Sequence, residues 1–266
     1  MKMPWILYGT AWKKERTTVY VEQALHAGFR GIDTANQLKH YSEKLVGDAL
    51  KDFKREELFL QTKFTSLDGQ DERLPYEENA DIPTQVEQSF KSSLEHLRTD
   101  YLDSYLLHGP YGHPGLIDED WQVWGALEKL HQAGKAKLIG ISNVNALQLD
   151  SLVRQAKQKP QVVQNRCYAN RGWDREVRKI CLEHQILYQG FSLLTANPYV
   201  LDHPKVLEIS QRWNAIPEQV IFRFSQQIGM HPLTGTTSPE HMKQDLASRE
   251  WELTPEETKF LETIVG

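Results

Sequence analysis

Four ionisable side chains stand at or just beyond the ends of strand-like runs, and together they could move a proton. Asp33 closes GFRGID, Tyr41 follows in DTANQLKHYSE, Lys63 closes LFLQTK and His108 closes YLDSYLLH. If those runs are neighbouring parallel strands, their C-terminal ends converge on one spot, and a charge there signals catalysis rather than stability. Tyrosine, with a reference pKa of ~10, is a poor acid at neutral pH. A lysine ammonium beside it would favour the phenolate and bring that value down, and an aspartate would hold the lysine in place. Each residue alone also has a plainer reading. Asp33 could cap a helix, Tyr41 could be a surface residue, Lys63 a solvated strand end and His108 a satisfied core histidine.

Eight short apolar runs supply the strands that must position these groups: WILYG, FRGID, LFLQT, LDSYLL, KLIGIS, QVVQN, ILYQGF and HPLTG. Helical periodicity alternates with them. Val86, Phe90, Leu94 and Leu97 mark one amphipathic helix, with Pro83 near its start. Val123, Leu127 and Leu130 mark another, which Gly134 suits as a C-terminal cap. Further helices are read from Leu149, Leu152, Val153 and Ala156, from Val177, Ile180, Cys181 and His184, and from Val220, Phe224 and Ile228. This alternation predicts a single-domain α/β fold over residues 1–266, a closed (β/α)₈ TIM barrel rather than an open sheet. The 266 residues suit one such barrel of ~250. No Gly-rich G-x-G-x-x-G turn or P-loop is present, so a nucleotide would have to be held another way.

The net charge of −5 argues against a general nucleic-acid binder. No apolar run is long enough for a signal peptide or membrane span, so neither a membrane nor a nucleic acid is expected as a partner and the cytoplasm is the expected location. Cys167 and Cys181 are too few for a disulfide framework and read as small buried hydrophobes. The histidines lack H-x-H or H-E-x-x-H spacing, so no metal is expected. Two polar stretches, TSLDGQDERLPYEENADIP after Lys63 and GPYGHPGLIDED after His108, would emerge on the C-terminal face, and the length of the first suggests a functional loop.

From GTAW near the start to GTTSPEHM near the end, with the four ionisable residues between, the chain resembles the aldo-keto reductases, NAD(P)H-dependent carbonyl reductases on a TIM barrel. The resemblance implies that Tyr41 is the general acid of carbonyl reduction, Lys63 and Asp33 its supporting pair, and His108 the group that orients the carbonyl oxygen. Tyr41 stands farther from Asp33 than the family pattern has it, because NQLKH lengthens the approach, yet it is the only tyrosine between Asp33 and Lys63.

The same resemblance implies cofactor contacts at Thr10, Asp33, Ser142, Asn143 and Gln164, with Phe191 stacked on the nicotinamide. Ser192, Leu194 and Thr195 would wrap the pyrophosphate, and Thr236, Thr237, His241 and Gln244 the adenosine phosphate. Ser142 and Asn143 could equally cap the next helix, and Phe191 could be a core residue. Gly235 and His241 stand where many members carry Lys and Arg, which leaves His241 and Lys243 to hold a 2′-phosphate. NADPH is the expected cofactor, with NADH also open. Trp12 is expected to wall the substrate pocket, and Gly109 to open it where many members have a bulky Trp. A short C-terminal tail points the same way, to a tolerant pocket for varied aldehydes, ketones or dicarbonyls, while a reduced N-terminal hairpin bears on the packing of the barrel floor. The protein is expected to act as a monomer or weak homo-oligomer on a small carbonyl substrate. A cofactor-binding sensor or regulatory protein with little turnover is the alternative; a glycosidase-like hydrolase lacks the second strand-end carboxylate.

Overall fold

The computed structural model describes residues 3–264. Eight parallel strands close into a barrel in sequence order: β1 (Leu7–Gly9), β2 (Gly31–Asp33), β3 (Phe59–Phe64), β4 (Leu102–Leu107), β5 (Ala136–Ser142), β6 (Val162–Arg166), β7 (Leu187–Phe191) and β8 (Met230–Thr234), with β8 pairing back to β1. All eight apolar runs of the sequence are strands. The helices are α1 (Thr17–Ala27), α2 (Glu43–Ala49), α3 (Ile82–Leu97), α4 (Asp118–Gln132), α5 (Ala146–Gln155), α6 (Arg175–Glu183), α7 (Pro198–Leu201), α8 (Pro204–Arg212), α9 (Pro217–Gln227), α10 (Pro239–Ala247) and α11 (Pro255–Glu262). Asp81 caps α3 by accepting from Thr84 N at 2.8 Å, just ahead of Pro83. Gly134 follows α4 with a φ of +70°, the left-handed conformation that ends a helix cheaply only in glycine.

Strand side chains alternate between two environments. The outward set, including Tyr8, Ile32, Leu60, Tyr105, Ile139, Val163 and Tyr188, packs under the helices in the large core. A smaller cluster of Leu7, Phe59, Leu106, Val162 and Leu233 fills the lower barrel interior, and Met3 closes it from beneath. Met3 thus stands at the barrel floor, and among the described residues no hairpin precedes β1. Above that apolar layer the inward positions turn polar: Asp33 faces Gln61 across β2 and β3, and Gln164 faces Gln189 across β6 and β7. The barrel is therefore an oily plug below and a hydrogen-bonding floor above.

Helix α2 lies hard against the end of α3 because Gly47 has no side chain; a Cβ there would overlap the His96 carbonyl oxygen. Glu43, at the start of α2, is buried among donors from β3 and α3: Thr62 Oγ1 at 2.5 Å, Ser93 Oγ at 2.9 Å and His96 at 3.2 Å. This fixes the end of the loop that carries Tyr41. Both cysteines are buried and free. No described helix is long and apolar enough to cross a membrane.

Candidate active site

The inward register of β2, β3 and β4 carries Asp33, Lys63 and His108 to the upper mouth of the barrel. Lys63 is almost fully buried, and its ammonium donates to both Asp33 oxygens at 2.7 and 2.8 Å and to Thr34 O at 2.8 Å. Gln61 Nε2 and Gln164 Nε2 also donate to Asp33 Oδ1, at 2.7 and 2.9 Å. Gln189 Oε1 accepts from the same two amides. No helix begins behind Asp33, so the capping reading of that residue does not apply; the next helix starts at Glu43. Burial lowers the affinity of Lys63 for its proton, and the Asp33 charge and hydrogen bond oppose this.

The lengthened loop before Tyr41 is pinned from several sides. Asn36 donates to Ser89 O at 3.0 Å and Ser93 Oγ at 3.2 Å, and Gln37 donates to Gly69 O at 2.5 Å. Gln70 returns a bond to Asn36 O at 2.9 Å, and Tyr41 N bonds to Gln37 O at 2.9 Å. With the loop held so, the Tyr41 ring stands 5.9 Å from that of His108, and the Lys63 ammonium lies 5.6 Å from its centroid. The pKa of Tyr41 is raised, first by burial and then by the Asp33 charge, with Arg166 opposing. This differs from the expected lowering by Lys63: burial of the phenol is the largest cause, the Asp33 charge adds to it, and the Lys63 protons are themselves taken by Asp33 and Thr34. Tyr41 therefore holds its proton firmly.

His108 is pushed down to a pKa of about 3, by burial first and then by Lys63 and His40, so it is a neutral imidazole at physiological pH. Its Nδ1 lies 2.7 Å from Thr65 Oγ1. With Thr65 as the donor there, the proton sits on Nε2. The long stretch after β3 packs rather than hangs free. Tyr76 is buried against Phe64, and its hydroxyl donates to Thr65 O at 2.8 Å, bracing the residue that orients His108. Asp120 organises the second loop by accepting from Tyr111 N, Gly112 N and Ile117 N at 2.7, 3.1 and 2.9 Å.

One cavity of about 710 Å³ opens above this floor. Asp33, Tyr41, His108, Ser142, Asn143, Gln164, Phe191, Ser192, Leu194, Thr195, Thr236, His241 and Trp12 all line it, and Lys63 lies beneath. Asn143 donates to His108 O at 2.8 Å and to Ser142 Oγ at 3.2 Å, and Ser142 donates to Gln164 O at 2.7 Å. That arrangement leaves the side-chain oxygens of Asn143 and Gln164 without a partner among the described residues. Ser142 and Asn143 do not cap α5; Asn145 does, accepting from Gln148 N at 2.9 Å. Asn143 and Ser192 hold left-handed backbone at φ of 56° and 57° on the cavity wall, conformations that cost energy and cluster at functional sites. Trp12, 67% exposed, packs tilted against His40 with ring centroids 3.8 Å apart.

Five expected contacts fall outside this cavity. The Thr10 hydroxyl is buried and donates to Asp33 O at 3.0 Å, so it braces the β1–β2 junction. Thr237 is exposed and turned off the wall. Gln244 lies behind the wall, its Oε1 buried and without a partner, while its neighbour Asp245 lines the cavity in its place. Gly109 is not part of the wall, although a side chain there would first meet Asn143 Cβ at 3.9 Å. Lys243 is exposed and does not line the cavity.

The wall also holds residues that no motif of the sequence marks. Lys13 reaches across from the loop after β1 and donates to Gly235 O, placing its ammonium beside the position that lacks a lysine. Asp245 is buried and accepts from Thr234 Oγ1 at 2.7 Å; burial raises its pKa to about 7. Arg166, His40, Gln37 and Glu218 also line the cavity. Only Arg166 left a usable signal, since Val162, Gln164 and Arg166 share one face of β6 by simple alternation.

Residues 5–265 match the sequence model of the Aldo/keto reductase family. Aldo-keto reductase family 1 member A1-A of Danio rerio is 31% identical, the match covering 99% of this chain and 86% of that protein. An aldo-keto reductase of Mycolicibacterium vanbaalenii is 32% identical over 91% of this chain and 80% of its own length. Among solved structures, an aldo-keto reductase enzyme from a Medee basin deep-sea metagenome library superposes with a TM-score of 0.85 at 26% identity, covering 99% of this chain and 92% of that one. The match in sequence and in fold runs from the first strand to the last helix. This chain belongs to the aldo/keto reductase family, oxidoreductases acting on carbonyl compounds.

Proposed function

We propose that the protein reduces small aldehydes and ketones to alcohols with NADPH, and that Tyr41 gives its proton to the carbonyl oxygen. The observation that carries this reading is a protonated phenol and a neutral imidazole facing one cavity, above a buried Lys63–Asp33 pair. The residues present fit a nicotinamide cofactor. The free side-chain oxygens of Asn143 and Gln164 suit the amino group of a carboxamide, and the Phe191 ring offers a flat apolar face beside them. Lys13 and His241 put positive or protonatable groups along the phosphate end, and the first turn of α10 adds backbone N–H groups. Lys13 takes the place of the lysine absent at 235, which supports NADPH.

Bound there, the nicotinamide supplies a hydride for the carbonyl carbon. Everything else falls to the chain. His108 Nε2–H donates to the carbonyl oxygen and orients it towards Tyr41. The raised Tyr41 pKa keeps the phenol protonated until an alkoxide, a far stronger base, develops beside it. Lys63 then stabilises the phenolate left behind and is itself held by Asp33. The closed floor of Asp33, Gln61 and Gln189 denies water a route from below, and Trp12 covers one side of the mouth.

Tryptophan-fluorescence titration with NADPH and NADH, followed by absorbance at 340 nm on a panel of simple aldehydes, tests this reading. Tight NADPH binding with turnover is expected. Tight binding without turnover on a broad panel would favour a cofactor sensor, and no binding of either nucleotide would refute the proposal.

A further inference from the structure

A second cavity of about 390 Å³ adjoins the first, and the two share Asn143 and Arg166 as a common wall. It lies between the loops after β4 and β6, lined by Tyr111, His113, Asn145, Tyr168 and Arg171 among others. Arg166 and Arg171 are both exposed, and neither guanidinium has a carboxylate within ion-pair distance among the described residues. Each is instead held over an aromatic ring, Arg166 at 5.5 Å from the Phe191 centroid and Arg171 at 5.2 Å from that of Tyr168. Asp174, the one carboxylate of this lining among the described residues, is half-buried, and its Oδ2 already accepts from Asn165 and Tyr188, both at 2.8 Å. Burial holds its pKa above the usual carboxylate value, which weakens it further as a counter-charge.

Arg166 is the hinge of this arrangement. It ends β6 in the same inward register as Gln164, one pleat above the polar floor, and its charge reaches the Tyr41 phenol. Two cations so placed, each over an aromatic ring and neither in an ion pair among the described residues, form a receptor for a carboxylate or phosphate. The reacting carbonyl must sit at Tyr41 and His108, so an anionic group on the same molecule would extend into the side cavity past Arg166.

We propose that Arg166 and Arg171 form an anion subsite, and that the physiological substrate is an aldehyde or ketone bearing a carboxylate or phosphate some atoms away from the carbonyl. This deepens the carbonyl-reductase reading and rests on it.

The test compares 4-carboxybenzaldehyde with its neutral isostere 4-formylbenzamide. A charge-assisted contact at an exposed arginine is worth about tenfold in affinity, so kcat/KM should favour the carboxylate by about that factor. Arg166→Gln and Arg171→Gln should each bring the ratio towards one, and NaCl at 0.5 M should do the same in the native protein. The corresponding alcohols, titrated calorimetrically into protein saturated with NADP⁺, should show the same preference and the same dependence on both arginines. A native ratio near one in both measurements overturns the subsite whether or not the aldehydes turn over. A binding preference without turnover leaves the subsite standing and removes the reductase reading. A loss of NADPH affinity in Arg166→Gln as large as the loss in the ratio would assign that residue to the cofactor and overturn the proposal. A phosphate-bearing aldehyde, run in parallel, decides which anion the pair prefers.

Discussion

Asp33→Asn changes the volume of the barrel floor hardly at all and removes its one negative charge among the described residues. In the native protein the two carboxylate oxygens accept two bonds from Lys63 and one each from Gln61 and Gln164. Asparagine keeps one acceptor oxygen and puts an NH₂ donor where the other stood. At least one native donor is then orphaned, and the buried ammonium keeps only an amide oxygen and Thr34 O. Breaking a buried ion pair by neutralising one partner costs about 3–5 kcal/mol. The cost is capped because Lys63, whose hold on its proton burial already weakens, can discharge instead. For 266 residues, an unfolding entropy of ~2.1 cal/mol/K per residue converts this to a fall in Tm of roughly 5–9 °C. Differential scanning calorimetry at pH 7 without cofactor measures it. Adding Lys63→Met removes the stranded charge, so the double variant should lose less than the two single losses combined, with a coupling energy of about 2 kcal/mol or more. A Tm for Asp33→Asn within about 1 °C of native, or strict additivity in the cycle, would refute the claim that a desolvated pair organises this floor.

Gly47→Ala should destabilise by about 1–3 kcal/mol despite alanine's better helix propensity, because the new methyl overlaps the His96 carbonyl; a fall in Tm of several degrees checks it, and no change would mean that α2 slides freely on α3. Asp245 gives a pH-dependent prediction. Its folded pKa of about 7 exceeds the reference 3.8, so the folded state binds the proton more tightly than the unfolded one. The wild-type residue therefore costs stability progressively as pH rises from about 4 to 7. Asp245→Asn, which keeps an acceptor for Thr234, should raise the Tm of the cofactor-free protein more at pH 8 than at pH 5; an equal shift at both would show that the carboxyl is not desolvated.

The strands were legible because their apolar runs are short, bounded and separated by helical periods, and a closed barrel is the economical way to arrange eight of them. The ends of β2, β3 and β4 therefore located Asp33, Lys63 and His108 directly. Tyr41 was harder. Its residue type was evident, but the loop that aims it is fixed by Gly69, Gln70, Ser89 and Ser93, residues distant in sequence whose contacts no local pattern reveals. The direction of its pKa shift is hidden for a related reason. Proximity of a lysine is visible in the sequence, whereas the burial that raises the phenol's pKa, and the Asp33 charge beside it, belong to the tertiary structure. Lys13 is not legible because its target, Gly235 O, lies on the far side of the β1–β8 seam, and that the Thr10 hydroxyl turns to Asp33 O is likewise a fact of the tertiary structure.

We propose that Tyr41 supplies the proton. Tyr41→Phe removes one oxygen from a residue whose hydroxyl makes no hydrogen bond within the described protein, so the fold and the cofactor wall should be untouched. The decisive measurement is single-turnover NADPH oxidation at 340 nm with a good aldehyde, beside the NADPH dissociation constant of the same sample. Loss of general acid catalysis should slow the step by about 10²–10⁴-fold, with NADPH affinity within about twofold of native. A Tyr41→Phe protein that reduces the aldehyde at the native rate would contradict the account, because some other group would then be delivering the proton.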